Sequence, residues 1–196
     1  MLQFNKMNWV GIIAGATIIV VLVASFVVPW WHLIVGDNLV EAKVSPVNTY
    51  FNFVGDSFTI PLIWALNIAS IISLAAGGIT MLVYSIKPEE TYSKRLLDFA
   101  YKKPLYSVVF FLVGLFATTY LVKSLFSFEV PLIGSITSVM PSDMTQGATV
   151  SILMTAEFIW PFWIALIAAA LCIVAKFYHK KIVTLPASSS VTEKTQ

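Results

Sequence analysis

The stretch PLIWALNIASIISLAAGGITMLVYSI, residues 61–86, decides how the chain is read. It contains no charged side chain, and at about 1.5 Å per residue a helix of that length more than crosses roughly 30 Å of hydrocarbon. Three further runs repeat the pattern, at 9–31, 104–126 and 150–177. The first has an apolar core from Val10 to Val28 and no A-x-A site after it. That core is longer than the usual 7–15 residues of a signal peptide, so it reads as a span. The whole composition agrees: 58% of 196 residues are hydrophobic and 11% charged, where a soluble domain carries about 25% charged residues. Disordered, collagenous and nucleic-acid-binding chains are excluded on the same ground. The expected fold is mainly α, a bundle of four transmembrane helices.

Charge position orients the bundle. Ten of the twelve basic residues fall on one side: Lys6, Lys87, Lys94, Arg95, Lys102, Lys103, Lys176, Lys180, Lys181 and Lys194. Only Lys43 and Lys123 fall on the other, among Asp37, Glu41, Asp56, Glu129, Asp143 and Glu157. The bias of basic residues toward the cytoplasm puts both termini and segment 87–103 inside, and segments 32–60 and 127–149 outside. Trp9 then marks an inner boundary, while Trp30, Trp31, Trp64, Trp160 and Trp163 mark outer ones.

Small residues show where helix backbones can approach. Gly11 and Gly15 are four apart in the first span, and Ala65, Ala69, Ser73 and Gly77 form a stripe on the second. Such spacing serves packing inside the bundle or a dimer face. Asn67 is an amide within an apolar span, where an interhelical hydrogen bond is its expected role. Lys123 and Glu157 are each 19 residues from an inner boundary, about 28 Å along a helix. Equal depth predicts an ion pair or two snorkelling side chains near the outer interface, with a proton or ion pathway as the alternative.

The outer segments carry a different period. Val40, Ala42 and Val44 alternate with Glu41, Lys43 and Ser45; Tyr50–Val54 leads through Gly55-Asp56 to Ser57–Ile60. Phe126–Val130 also alternates, and Ser135–Met140 and Ala148–Ile152 are further strand candidates. An isolated hairpin is marginal in water, so the two segments are expected to share one small sheet capping the helix ends. With a long strand-rich first outer segment, a second outer segment and cytoplasmic ends, the layout resembles that of four-span membrane proteins of the claudin and PMP22 type. That resemblance covers most of the chain and implies a helical bundle under an extracytoplasmic sheet. The Gly-Leu-Trp and paired-cysteine signature of claudins is not present; the one cysteine is Cys172, within the fourth span.

Between spans two and three, Tyr92, Leu96 and Phe99 stand at helical spacing among Lys94, Arg95, Lys102 and Lys103. This predicts a short helix on the inner leaflet, with those four cations in contact with lipid. Residues 184–196 have no apolar period and are expected to be disordered. His32 and His179 fall on opposite faces and cannot share a haem, and His32, Asp37 and Glu41 match no defined metal spacing. No phosphate loop, nucleophile elbow or helical zinc motif occurs.

No cofactor and no independent enzymatic activity are therefore expected. The predicted role is a structural or accessory membrane subunit, binding other membrane proteins or itself through helix faces and the outer cap. A small oligomeric channel or transporter is the alternative.

Overall fold

The computed structural model describes residues 7–36, 40–47, 49–53, 56–57, 61–88, 91–126, 129–139 and 151–184. Their order is α1 (Trp9–Ala24), β1 (Trp31–Val35), β2 (Val40–Val44), β3 (Thr49–Phe53), β4 (Asp56–Ser57), α2 (Pro61–Ile86), α3 (Ser93–Ala100), α4 (Lys103–Phe126), β5 (Gly134–Val139), β6 (Ser151–Phe158) and α5 (Trp160–Thr184). Three helical stretches are long and apolar enough to cross a membrane: α2, Ser93–Ser124 within α3–α4, and Trp160–His179 within α5.

Two of the expected spans are corrected. The first does not run to Trp31. Helix α1 has 16 residues and ends at Ala24, although turn bonds continue to the Val28 N–H, which donates to the Ala24 carbonyl at 2.8 Å. Pro29 stops it there, because a proline lacks the N–H that the next turn needs and disfavours helical backbone in the residue before it. The fourth span does not start at 150. Residues 151–158 form a strand, and α5 begins at Trp160 with Pro161 in its first turn, where a missing N–H costs nothing. Glu157 therefore lies in extended chain, so a depth counted at helical rise does not apply to it.

Close approaches show how the helices run. A Cβ on Gly11 would meet Ser85, one on Gly15 would meet Leu82, and one on Gly78 would meet Ile18. As α1 ascends, its neighbours on α2 descend, so the two are antiparallel. Gly77 against Lys103 and Pro104, then Ser70 against Ser107, gives the same relation for α2 and α4. Helix α5 packs on both α1 and α4, closing a ring of four helices. The Gly11–Gly15 face is thus occupied by α2 of the same chain. Of the second stripe, Ser73 and Gly77 are buried whereas Ala65 is exposed.

The four helices are staggered. Phe111 of α4 touches Phe162, in the first turn of α5, and Trp30, just beyond α1. Helix α4 continues about 22 Å past that level. The space above the short ends of α1 and α5 belongs to the sheet, whose order is β4-β3-β2-β1-β6-β5 with every pairing antiparallel. The β1–β6 ladder joins the two segments that the sequence separates by three helices, α2, α3 and α4. In register, Trp31, Leu33 and Val35 stand opposite Val44, Ala42 and Val40 on one side and Phe158, Ala156 and Met154 on the other.

This alternation decides the packing. Trp31, Leu33, Ala42, Val44, Met154 and Ala156 are buried and join the helices in one core, so the sheet and bundle share it. Trp30 and Trp31 are correspondingly not boundary anchors: both are buried, while Trp9, Trp64, Trp160 and Trp163 are about half exposed. Phe126 belongs to α4, and Glu129–Val130 form no strand. The expected strand residues 148–150 and 58–60 and the tail beyond Thr184 lie outside the described residues.

Candidate functional site

Antiparallel pairing puts side chains that do not enter the core on the other face of the sheet. There the register sets Lys43, His32 and Glu157 across β2, β1 and β6, with Glu41, Ile34 and Thr155 as the next row. Strand β5 adds Ser135 and Thr137. Glu41, Lys43, Glu157, Ser135 and Thr137 are exposed, with Leu153 beside Thr137, so this is an open, mostly polar face backed by a packed core.

Its side chains hold one another. Glu41 Oε1 is 2.7 Å from His32 Nε2 and 2.9 Å from Lys43 Nζ, and the Ser135 and Thr155 hydroxyls are 2.9 Å apart. Hydrogen bonds from Lys43, then His32, hold the Glu41 carboxyl below its ordinary range. Because the folded state prefers the ionised form, this contribution is present above the ordinary carboxylate pKa and disappears as pH falls through the lowered one. Wild type should therefore unfold at a higher temperature than Glu41→Gln at pH 7, and the two thermal melts should converge as the solution is taken toward pH 3. A constant difference would contradict the charge-based account.

A second polar group lies at the opposite end of the bundle. The Asn8 side-chain oxygen accepts from the Gly11 N–H at 3.1 Å, which fixes the amide orientation and caps α1. Its Nδ2 then donates to the Tyr84 hydroxyl at 2.9 Å and to the Ala175 carbonyl at 3.1 Å. With its oxygen accepting, Tyr84 directs its own proton to His179 Nδ1 at 2.9 Å. Nothing in the local sequence reveals this group, since its members are separated by 76 and 95 residues. A cap-type residue immediately before an apolar run was the one available signal.

The predicted site residues separate accordingly. Lys123 Nζ is 2.6 Å from Glu129 Oε1, six residues on, and that lysine holds the Glu129 carboxyl below its ordinary range. Lys123 thus pairs locally, and Glu157 stands on the sheet beside His32; the expected ion pair between them is replaced. Asn67 is buried, with its side-chain oxygen facing Gly114 of α4. Lys94, Arg95 and Lys102 are exposed on and just after α3, while Lys103 is partly covered.

Among the described residues no group of three or more His, Cys, Asp or Glu side chains could hold a metal; Asp37 is outside that set. Cys172 is buried in α5. The chain matches no protein-family model and none of the curated proteins compared with it.

Proposed function

We propose that this protein is an integral membrane subunit of structural or accessory type, with four helices spanning the bilayer, both termini in the cytoplasm and the sheet outside. Its polar sheet face is the surface that receives another membrane protein. The observation that carries this reading is the division of the sheet: one face is sunk into the core, and the other presents ordered polar side chains. A partner meeting such a face finds side chains already held by Glu41, so little rotamer freedom is lost on docking. The apolar perimeter supports the membrane placement, with Ile13, Val20, Ile72, Ile79, Val113, Phe116, Ile167 and Val174 each about half exposed around the bundle. Large apolar side chains exposed together around a bundle mark an interaction surface, and lipid is the apolar medium that this reading supplies.

Placement and function have separate tests. With Cys172 buried, an impermeant thiol reagent added to intact cells should label Ser135→Cys and not Lys94→Cys; the reverse pattern would invert the orientation. For function, gentle detergent purification of wild type should yield a stoichiometric second chain. Glu157→Arg combined with Thr137→Arg, both at exposed positions, should release that chain without changing the melting temperature. A homo-oligomer that conducts ions in liposomes, with no second chain, would replace this reading by the channel or transporter alternative.

A further inference from the structure

An exposed stripe crosses from α3 into α4. Tyr92, Phe99, Tyr106, Val113 and Tyr120 follow one another at seven-residue spacing and are 47%, 47%, 43%, 48% and 73% exposed. Seven residues are nearly two helical turns, so a helix keeps such positions on one side. The backbone between α3 and α4 deviates little from helical: Tyr101 has φ −64° and ψ −24°, its N–H donates to the Leu97 carbonyl, and the Tyr106 N–H reaches the Lys102 carbonyl at 3.0 Å. Lys103 joins the halves, with its Nζ 4.5 Å from the Phe99 ring centre and 6.0 Å from that of Tyr106.

Charge is divided between the flanks of α3. On one flank Asp98 is occupied by Lys176 at 3.0 Å. On the other, Arg95, Phe99 and Lys103 stand four apart in one row, and among the described residues no carboxylate pairs with either cation. Beyond Tyr106 the stripe is apolar as far as Phe116, ten residues and about 15 Å along α4. That length is half the hydrocarbon thickness of a bilayer, the reach of one leaflet's acyl chains.

We propose that this stripe binds one anionic phospholipid of the nearer leaflet, with its phosphate held by Arg95 and Lys103 and its acyl chains laid along Tyr106, Val109, Val113 and Phe116. A zwitterionic lipid would bring its own cation against this pair, so the site selects net negative headgroups. The inference rests on the membrane placement proposed above and not on the sheet's partner. Lipid retention is measured without reference to sidedness or to any second chain, so either reading can fail alone.

The test is native mass spectrometry of the full chain, delipidated in detergent and exposed to phosphatidylglycerol or phosphatidylcholine of identical acyl chains. Wild type should retain a single phosphatidylglycerol in preference to phosphatidylcholine. Arg95→Gln and Lys103→Gln should each lower that retention about fivefold, the contribution of one basic residue near an anionic surface. Lys94→Gln, on the opposite flank, should leave it unchanged, and melting temperatures should confirm that all three variants fold. Equal retention of both lipids would overturn the proposal, as would a Lys94→Gln loss equal to the others. Displacement of the lipid by millimolar inorganic phosphate would overturn it too, since the acyl contacts would then contribute nothing.

Discussion

Trp30→Ala is expected to destabilise the protein by about 4 kcal/mol, the usual scale for removing a fully buried tryptophan. The indole is 0% exposed and has ring centres 5.0 Å from Phe111 and 6.2 Å from Phe162. Its Nε1–H donates to the Ser25 hydroxyl at 2.8 Å, its own N–H to the Val44 carbonyl, and its carbonyl accepts from the Ile159 N–H. One residue therefore ties the end of α1 to both neighbours of β1 and plugs the gap between α4 and α5. Truncation leaves a void that two helices and a sheet would all have to move to fill. Trp30→Phe keeps most of the ring and loses one hydrogen bond; since Ser25 also donates to the Val21 carbonyl, it should cost about 1–2 kcal/mol. Thermal unfolding in detergent measures both. Equal, small losses would show that the void closes without cost.

Asn8→Ala should cost about 3 kcal/mol, on the order of one helix cap and two buried hydrogen bonds. The side chain is fully buried, and removing it leaves the Ala175 carbonyl and the Tyr84 hydroxyl each short of a donor. Asn8→Ser separates the contributions, because a serine hydroxyl can still accept from the Gly11 N–H but cannot reach both other helices. An intermediate loss is expected from it. If Asn8→Ser melts with wild type, capping is the whole role of this residue, and the link between α1, α2 and α5 contributes nothing.

How much of this was legible in the sequence depends on which period each segment displays. Helices α2 and α4 were readable because apolar runs of that length have one economical solution, and β2 because Val40, Ala42 and Val44 alternate with charged partners. Strand β1 was hidden: Trp31-His32-Leu33-Ile34-Val35 has one polar member and no alternation, so Trp31 reads as the end of the first span and 32–35 as outer segment without a strand period. Strand β6 was hidden similarly, although Ser151, Leu153, Thr155 and Glu157 do face away from Ile152, Met154, Ala156 and Phe158. Prolines carried the missing punctuation. Pro61, Pro104 and Pro161 stand in the first turns of α2, α4 and α5, where a missing N–H costs nothing, and Pro29 stands where the turns after α1 stop.

The open polar face of the sheet was legible only in fragments. Glu41 and Lys43 were visible as the outward set of β2, but the position of His32 between Lys43 and Glu157 depends on the β1–β6 register, which joins residues 125 positions apart. Neither local period nor charge count encodes that pairing. The α3 cations were legible as a group, whereas the occupation of Asp98, on one flank, by Lys176 of α5 was not.

That same long-range ladder sets a timetable for the newborn chain. When β1 leaves the ribosome, β2 follows at once and covers one of its edges, but β6 and the Ala175 carbonyl that receives Asn8 are still unmade. At about 5–20 residues per second, the wait for β6 is roughly 6–25 s. Throughout that interval the other edge of β1 is unsatisfied backbone, and Trp30 and Trp31 have no α5 to cover them. The first helix is thus made long before its packing can be finished, and a chain cut short anywhere ahead of Ser151 presents an unclosed edge and two uncovered indoles to whatever surveys misassembled products.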